Sequence, residues 1–215
     1  MGRGRRVDPP PYPFRHFCPR GNGVPGVTDV IDDQGLRCDY SSIPSDVLRA
    51  AGERGDRVHA AIARALTGDP APDSDLHEGD RGHWEGWLAW RSIAAPRPVL
   101  VEHTVLVLSW PQFGGTLDFA GGTSYGDRII DWKCRQGFHN DGMQTAAYQR
   151  GVQLTHPDPE VVQFVRSCER SSVELRKNGT FKIHPHRDAL DVRHFVAALI
   201  TWGLRRAAGW SPTKT

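Results

Sequence analysis

The stretch Gly114-Gly-Thr-Leu-Asp118-Phe-Ala-Gly-Gly-Thr-Ser-Tyr125-Gly-Asp-Arg-Ile-Ile-Asp131-Trp-Lys133 decides how this chain is read. Apolar runs over residues 112–120 and 128–134 flank a segment carrying Gly121, Gly122 and Gly126, the pattern of two strands joined by a turn. A hairpin folding near Ser124 and Tyr125 puts Asp118 opposite Asp131. Residues i and i+2 of a strand point to one face, so Asp131 and Lys133 project together. Two carboxylates and an ammonium are thereby expected on a common face. Such a carboxylate pair is electrostatically costly unless a cation lies between them, and hard oxygen ligands favour Mg²⁺ or Mn²⁺.

Working outward, residues 99–110 are rich in Val and Leu and supply a third strand ahead of this hairpin, making a meander. Upstream, residues 46–66 place Val47, Leu48, Ala51, Val58, Ile62 and Leu66 at mostly helical spacing, with Ser45 as N-cap and a break expected at Gly52 and Gly55. A Pro-containing loop over 69–80 leads to Trp84, Trp87 and Trp90, whose spacing of three marks the buried face of a short helix. Downstream, the pattern predicts a helix over 141–154, a strand over 161–166, and strands over 173–177 and 180–184 around the hairpin signal Asn178-Gly179. An amphipathic helix over 188–208 follows. The fold class is therefore α/β or α+β, a central mixed sheet flanked by helices.

Residues 1–26 carry Arg3, Arg5, Arg6 and a Pro9-Pro10-Pro11 run, a composition that resists helix and sheet, so a flexible basic arm is expected ahead of a single domain over 27–215. The start lacks a secretory h-region, is too poor in serine and too rich in proline for a transit peptide, and no apolar run is long enough to span a membrane. An intracellular chain is the expectation. Cys18, Cys38, Cys134 and Cys168 form no CxxC pair and read as reduced thiols. A net charge of +2 announces no nucleic-acid partner by itself, because that signal comes from clustering. His184-Pro185-His186 reads as loop histidines with no partner completing a metal site.

The ordered set Gly55-Asp56-Arg57-Val58-His59, Glu102, Gly115-Thr116-Leu117-Asp118, Ile130-Asp131-Trp132-Lys133 and Gln144-Thr145-Ala146-Ala147-Tyr148 resembles the PD-(D/E)XK nuclease superfamily, in its RecB-like exonuclease branch, and is most similar to phage-type and mitochondrial genome maintenance exonucleases. The resemblance spans roughly residues 52–150. It implies a restriction-endonuclease-like core, with His59, Asp118, Asp131 and the Trp132 carbonyl as metal ligands. It further implies Glu102 as an outer carboxylate or a ligand of a second ion, and Lys133 assisting the attacking water. Gln144 and Tyr148, four apart on one helix face, would support the lysine and meet the DNA strand. Leu117 stands where the superfamily name has proline, and Cys134 where Thr or Ser is frequent.

On this resemblance the chain is a Mg²⁺- or Mn²⁺-dependent deoxyribonuclease, an exonuclease of single strands or free DNA ends, in replication, recombination or repair. The alternatives are a structure-specific endonuclease of the same fold and a non-catalytic DNA-binding module. Arg54, Arg57 and Arg64, residues 144–150 and the basic arm are the expected walls around a strand. No GxxxxGK[ST] loop is present, so a helicase, recombinase or single-strand-binding protein would be a separate chain. A C-terminal cysteine trio for an iron-sulfur cluster is absent as well.

Overall fold

A computed structural model of the chain describes residues 24–35, 42–135 and 140–208. Helices α1 (Val27–Asp33), α2 (Ser45–Thr67) and α3 (Arg81–Ala94) precede strands β1 (Arg97–Val107), β2 (Phe113–Thr123) and β3 (Gly126–Lys133). Then come α4 (Asp141–Thr155), α5 (Pro159–Ser167), β4 (Glu169–Leu175), β5 (Phe181–His186) and α6 (Asp191–Ala207). The strands form one sheet in the order β1-β2-β3-β4-β5, antiparallel except for the β3–β4 pair. A parallel pair needs a long crossover, and α4 and α5 supply it.

Each face of the sheet carries its own core. On one side α1, α4, α5 and α6 bring Val30, Ile31, Ala147, Val152, Val165 and Phe195 against Val105, Leu117 and Ile129. On the other, α2 and α3 bring Val58, Ile62 and the three tryptophans against Phe119, Ile130, Trp132, Val173 and Leu175. The tryptophan spacing reads correctly as a buried face: Trp84 and Trp87 stack at 4.7 Å, and Trp90 meets Trp132 edge to face at 4.8 Å. Arg57 ties α2 to the turn before α3 through the buried Asp80, donating at 2.7 Å.

The central meander and the hairpin at Asn178 and Gly179 form as expected, with Gly179 at φ 77°. Three expectations need correction. Residues 161–166 belong to helix α5, because Asp158 caps it by accepting from the Glu160 N–H at 2.8 Å and Pro159 opens it; these end signals override the β-branched valines. Helix α2 runs unbroken through Gly52 and Gly55, and its N-cap is Pro44 rather than Ser45. A mid-helix glycine costs only about 1 kcal/mol against alanine, too little to end a helix that buries Val58, Ala61 and Ile62. His184 and His186 lie on β5, where His184 Nε2 meets Glu174 Oε2 at 2.8 Å. Most of the expected arm, with Cys18 and Cys38, lies outside the described residues, but Val24 to Gly26 pack: Val24 is buried and Pro25 accepts from the Gly114 N–H at 2.9 Å. Helix α1 carried no signal in the patterns above. Among the described residues no helix is long and apolar enough to cross a membrane.

The buried imidazoles make this fold acid-sensitive. His186 shares a 3.0 Å hydrogen bond with Ser172, and burial, with smaller help from Arg170 and His184, pushes its pKa down to about 4; His83 and His103 are lowered in the same direction by burial. Between its ordinary value of 6.5 and about 4 the unfolded chain binds the proton and the folded chain does not, so stability falls as pH drops through that window. His186→Gln should remove about 2 kcal/mol of the stability lost between roughly pH 7.5 and 5, read by denaturant unfolding at both pH values. An unchanged loss in the variant would show that His186 is not shifted.

Candidate metal centre

The site lies where β2 and β3 part. Their pairing ends at Phe119 and Ile130, one step short of Asp118 and Asp131. From there β3 continues beside β4 to Lys133 and Glu174, while β2 continues beside β1 to Phe113 and Val107. The fork opens into a cleft of about 490 Å³, with α2 supplying Gly52, Gly55 and His59 to one wall and α4 supplying Gln144 and Tyr148 to another.

The strict alternation assumed from the sequence breaks at this point. Leu117 packs in one core and Phe119 in the other, although residues two apart on a regular strand share a face. Across the ladder, Val101 pairs with Phe119 and His103 with Leu117, while Glu102, between them and facing Asp118, is absent from the pairing and holds φ at 47°. A non-glycine residue held there costs about 1–3 kcal/mol, which the two flanking cores must offset. The irregularity turns Asp118 toward α2. Its Oδ2 lies 3.2 Å from His59 Nδ1 and accepts the Trp132 N–H at 2.9 Å.

His59, Glu102 and Asp118 thus each offer a ligand atom within 4.8 Å of the others, a buried group able to hold a metal ion. The donor set fits a cation on a further observation: His59 Nδ1 is buried and makes no hydrogen bond, its contact with Asp118 being unaligned for one. An imidazole nitrogen facing a carboxylate oxygen in this way satisfies its lone pair best on a positive ion.

The second half of the site stands on β3 and α4. Lys133 Nζ lies 2.5 Å from Asp131 Oδ2 and donates to Gln144 Oε1 at 2.9 Å. Gln144 Nε2 in turn donates to Asp131 Oδ1 at 3.0 Å and to Tyr148 Oη at 3.2 Å, so one amide clamps both charged groups. Tyr148 reaches this position because its ring lies over Gly115, where a Cβ would come within 2.6 Å of the ring. Burial pushes the Asp131 carboxyl above the ordinary carboxylate range; Lys133 opposes this, while Asp118 and Asp141 push it further. Four carboxylates around one cleft therefore lack positive charge, which is the condition a cation relieves.

The structure brings together every expected side chain, in two sets. Asp131 belongs to the lysine set rather than to the His59, Glu102 and Asp118 group. Trp132 contributes its N–H to Asp118 and buries its ring. Of the expected arginine walls, Arg57 is committed to Asp80, and Arg64 to the Pro72 carbonyl and Asp75, whereas Arg54 lines the cleft. Asp141 was missed: it is 2% exposed, pairs with Arg135 at 2.7 Å and lies 3.9 Å from Lys133 Nζ. Its position at the start of an expected helix, three residues before Gln144, was the available signal. No protein-family model matches this sequence, and no curated protein matches it.

Metal occupancy has a direct readout. Mn²⁺ or Mg²⁺ at about a hundredfold excess over its Kd should stabilise the fold by about 2.7 kcal/mol, raising Tm by about 5–10 °C, with EDTA reversing the rise. Asp118→Asn should abolish the shift and leave the metal-free Tm at or above that of the unmodified chain, because it removes one of several repelling carboxylates. A Tm indifferent to both ions would leave the group without a metal.

Proposed function

We propose that this chain is a divalent-cation-dependent deoxyribonuclease that hydrolyses phosphodiester bonds of single-stranded DNA or of DNA ends. The observation that supports it most is the pairing, at one strand fork, of a buried His59, Glu102 and Asp118 group with a lysine held by Asp131 and Gln144. His59, Glu102 and Asp118 would hold Mg²⁺ or Mn²⁺, and Asp131, beside Asp118 at the fork, both completes the ligand set and fixes Lys133. The Trp132 carbonyl is assigned to the same ion by resemblance. A divalent cation there supplies charge stabilisation at the phosphate and a more acidic water.

The protein's own groups do the rest by position. Lys133 Nζ, anchored on two sides, orients the attacking water and lends positive charge as the water loses its proton to solvent. Gln144 keeps the lysine and Asp131 in register, so neither reorganises when the substrate arrives. Tyr148 fixes the Gln144 amide. The cleft, roughly in the size range of a small-ligand pocket, accommodates a nucleotide unit at the fork.

Lys133→Ala and Asp118→Asn should each lower cleavage of linear single-stranded DNA by about a hundredfold or more while preserving circular dichroism. Covalently closed single-stranded circles should resist, and linear strands of the same sequence should be shortened. Circles cut as fast as linear strands would assign the site to an endonuclease. Folded Lys133→Ala cleaving at the unmodified rate would remove the assignment altogether.

A further inference from the structure

A second concave surface adjoins the cleft. Trp110, in the β1–β2 connection, is 79% exposed, the most exposed large apolar side chain among the described residues. With Trp202 and Leu204 of α6 and Pro25 it lines a groove of about 330 Å³. Leu108 nearby in sequence is 62% exposed and Leu204 67%, so this end of the molecule keeps apolar area in water that the cores do not use.

Two chain segments run from the groove into the cleft. Pro25 lines the groove and Gly26 the cleft; Gln112 lines the groove and Gly114 the cleft; and Gly26 bridges to Gly114. Strand β2 then leads from Phe113 to Asp118, so about 20 Å of extended backbone separates Gln112 from the metal group. A polymer with one phosphate at the fork and an extended strand along β2 passes over the two tryptophans.

The chemistry of the groove selects among occupants. No acidic side chain lines it, and the Arg206 guanidinium lies over the Trp202 ring at 4.8 Å, presenting a cation at the rim. Exposed indole faces beside a cation fit unpaired bases on a polyanionic backbone, since every base has a π-face and each stacked base contributes about 1–3 kcal/mol. Duplex bases are already stacked on one another and offer no such face.

We propose that the groove of Trp110 and Trp202 is a second subsite, taking unpaired bases of the strand whose phosphate occupies the cleft. This rests on the nuclease reading above, and it adds where the strand runs and why it must be single. Because the subsite lies outside the metal group, it acts on affinity and on strand selection and leaves the chemical step alone.

The test separates the two proposals. Hydrolysis of the p-nitrophenyl ester of thymidine 5′-monophosphate, which fills the cleft only, reads the metal site. Binding of a fluorescein-labelled oligodeoxythymidine of about 15 residues, measured by anisotropy in EDTA, reads the groove. Trp110→Ala should weaken oligonucleotide binding about tenfold, Trp110→Phe should restore most of it, and the small ester should be hydrolysed equally by all three. Trp110 is exposed, so the substitution leaves folding intact. Equal affinity in Trp110→Ala, or no binding by the unmodified chain, overturns the subsite. A Trp110→Ala variant that changes the sedimentation of the protein alone shows that a second copy covers the groove, and overturns it as well. Failure of the small ester with Mg²⁺ and Mn²⁺ counts against the nuclease reading and leaves the binding result to stand by itself.

Discussion

Everything around the cleft depends on where the Trp132 ring goes. It is 1% exposed, held edge to face against Trp90 and tilted against Phe119. Burying so large an aromatic surface contributes several kcal/mol, more than the electrostatic cost of any one neighbouring charge. With that ring committed to the α2 and α3 side, strand geometry sends Asp131 and Lys133 to the opposite face, under α4. The backbone N–H of the same residue then reaches Asp118 across the fork. One hydrophobic anchor therefore sets the orientation of both halves of the site, and the α3 tryptophans two elements away are part of that anchor.

The polar half is organised at a cost. Asp118, Asp131 and Asp141 are all buried, with only Lys133 and Arg135 among their named cationic partners and the Gln144 amide bridging between. Buried carboxylates in such number destabilise a fold unless each is paired, hydrogen-bonded or bound to a cation. The two cores supply the margin, from Phe195 and Ile129 on one side to Ile62 and Trp87 on the other. Stability is spent here for function, a pattern common where charges are held ready for a ligand.

Most of this was legible in the sequence, for reasons that can be named. The meander, the Ser124 and Tyr125 turn and the residue-for-residue approach of Asp118 to Asp131 follow from periodicity and glycine placement, and the strands obey both. The tryptophan face of α3 follows from a spacing of three. What stayed hidden is tertiary. No local signal distinguishes a glycine that ends a helix from Gly52 and Gly55, which face open space on a cleft wall. Residues 161–166 read as a strand on their valines, and only the Asp158 cap and Pro159 tell otherwise. His184 found its carboxylate, Glu174, on a strand whose pairing partner the sequence does not specify.

The sharpest departure is the broken alternation at Glu102 and Asp118, and it explains the site's composition. On a regular β2, Asp118 would share the α4 face with Asp131 and Lys133, and α2 would have no carboxylate within reach of His59. The strain held in Glu102, with φ at 47°, and the missing rung opposite it re-aim one aspartate through the sheet edge. A strand irregularity of this kind re-aims side chains beside functional sites in many sheets. Here it divides a single cluster of repelling carboxylates into a histidine-bearing group on one side of the fork and a lysine-bearing group on the other. Replacing Glu102 by a residue without a carboxylate would keep the strain and lose its use, so the distortion and the charge are best understood as one device. The fork between β2 and β3 is what gives that device room, because two fully paired strands would leave no gap between the groups for a ligand to enter.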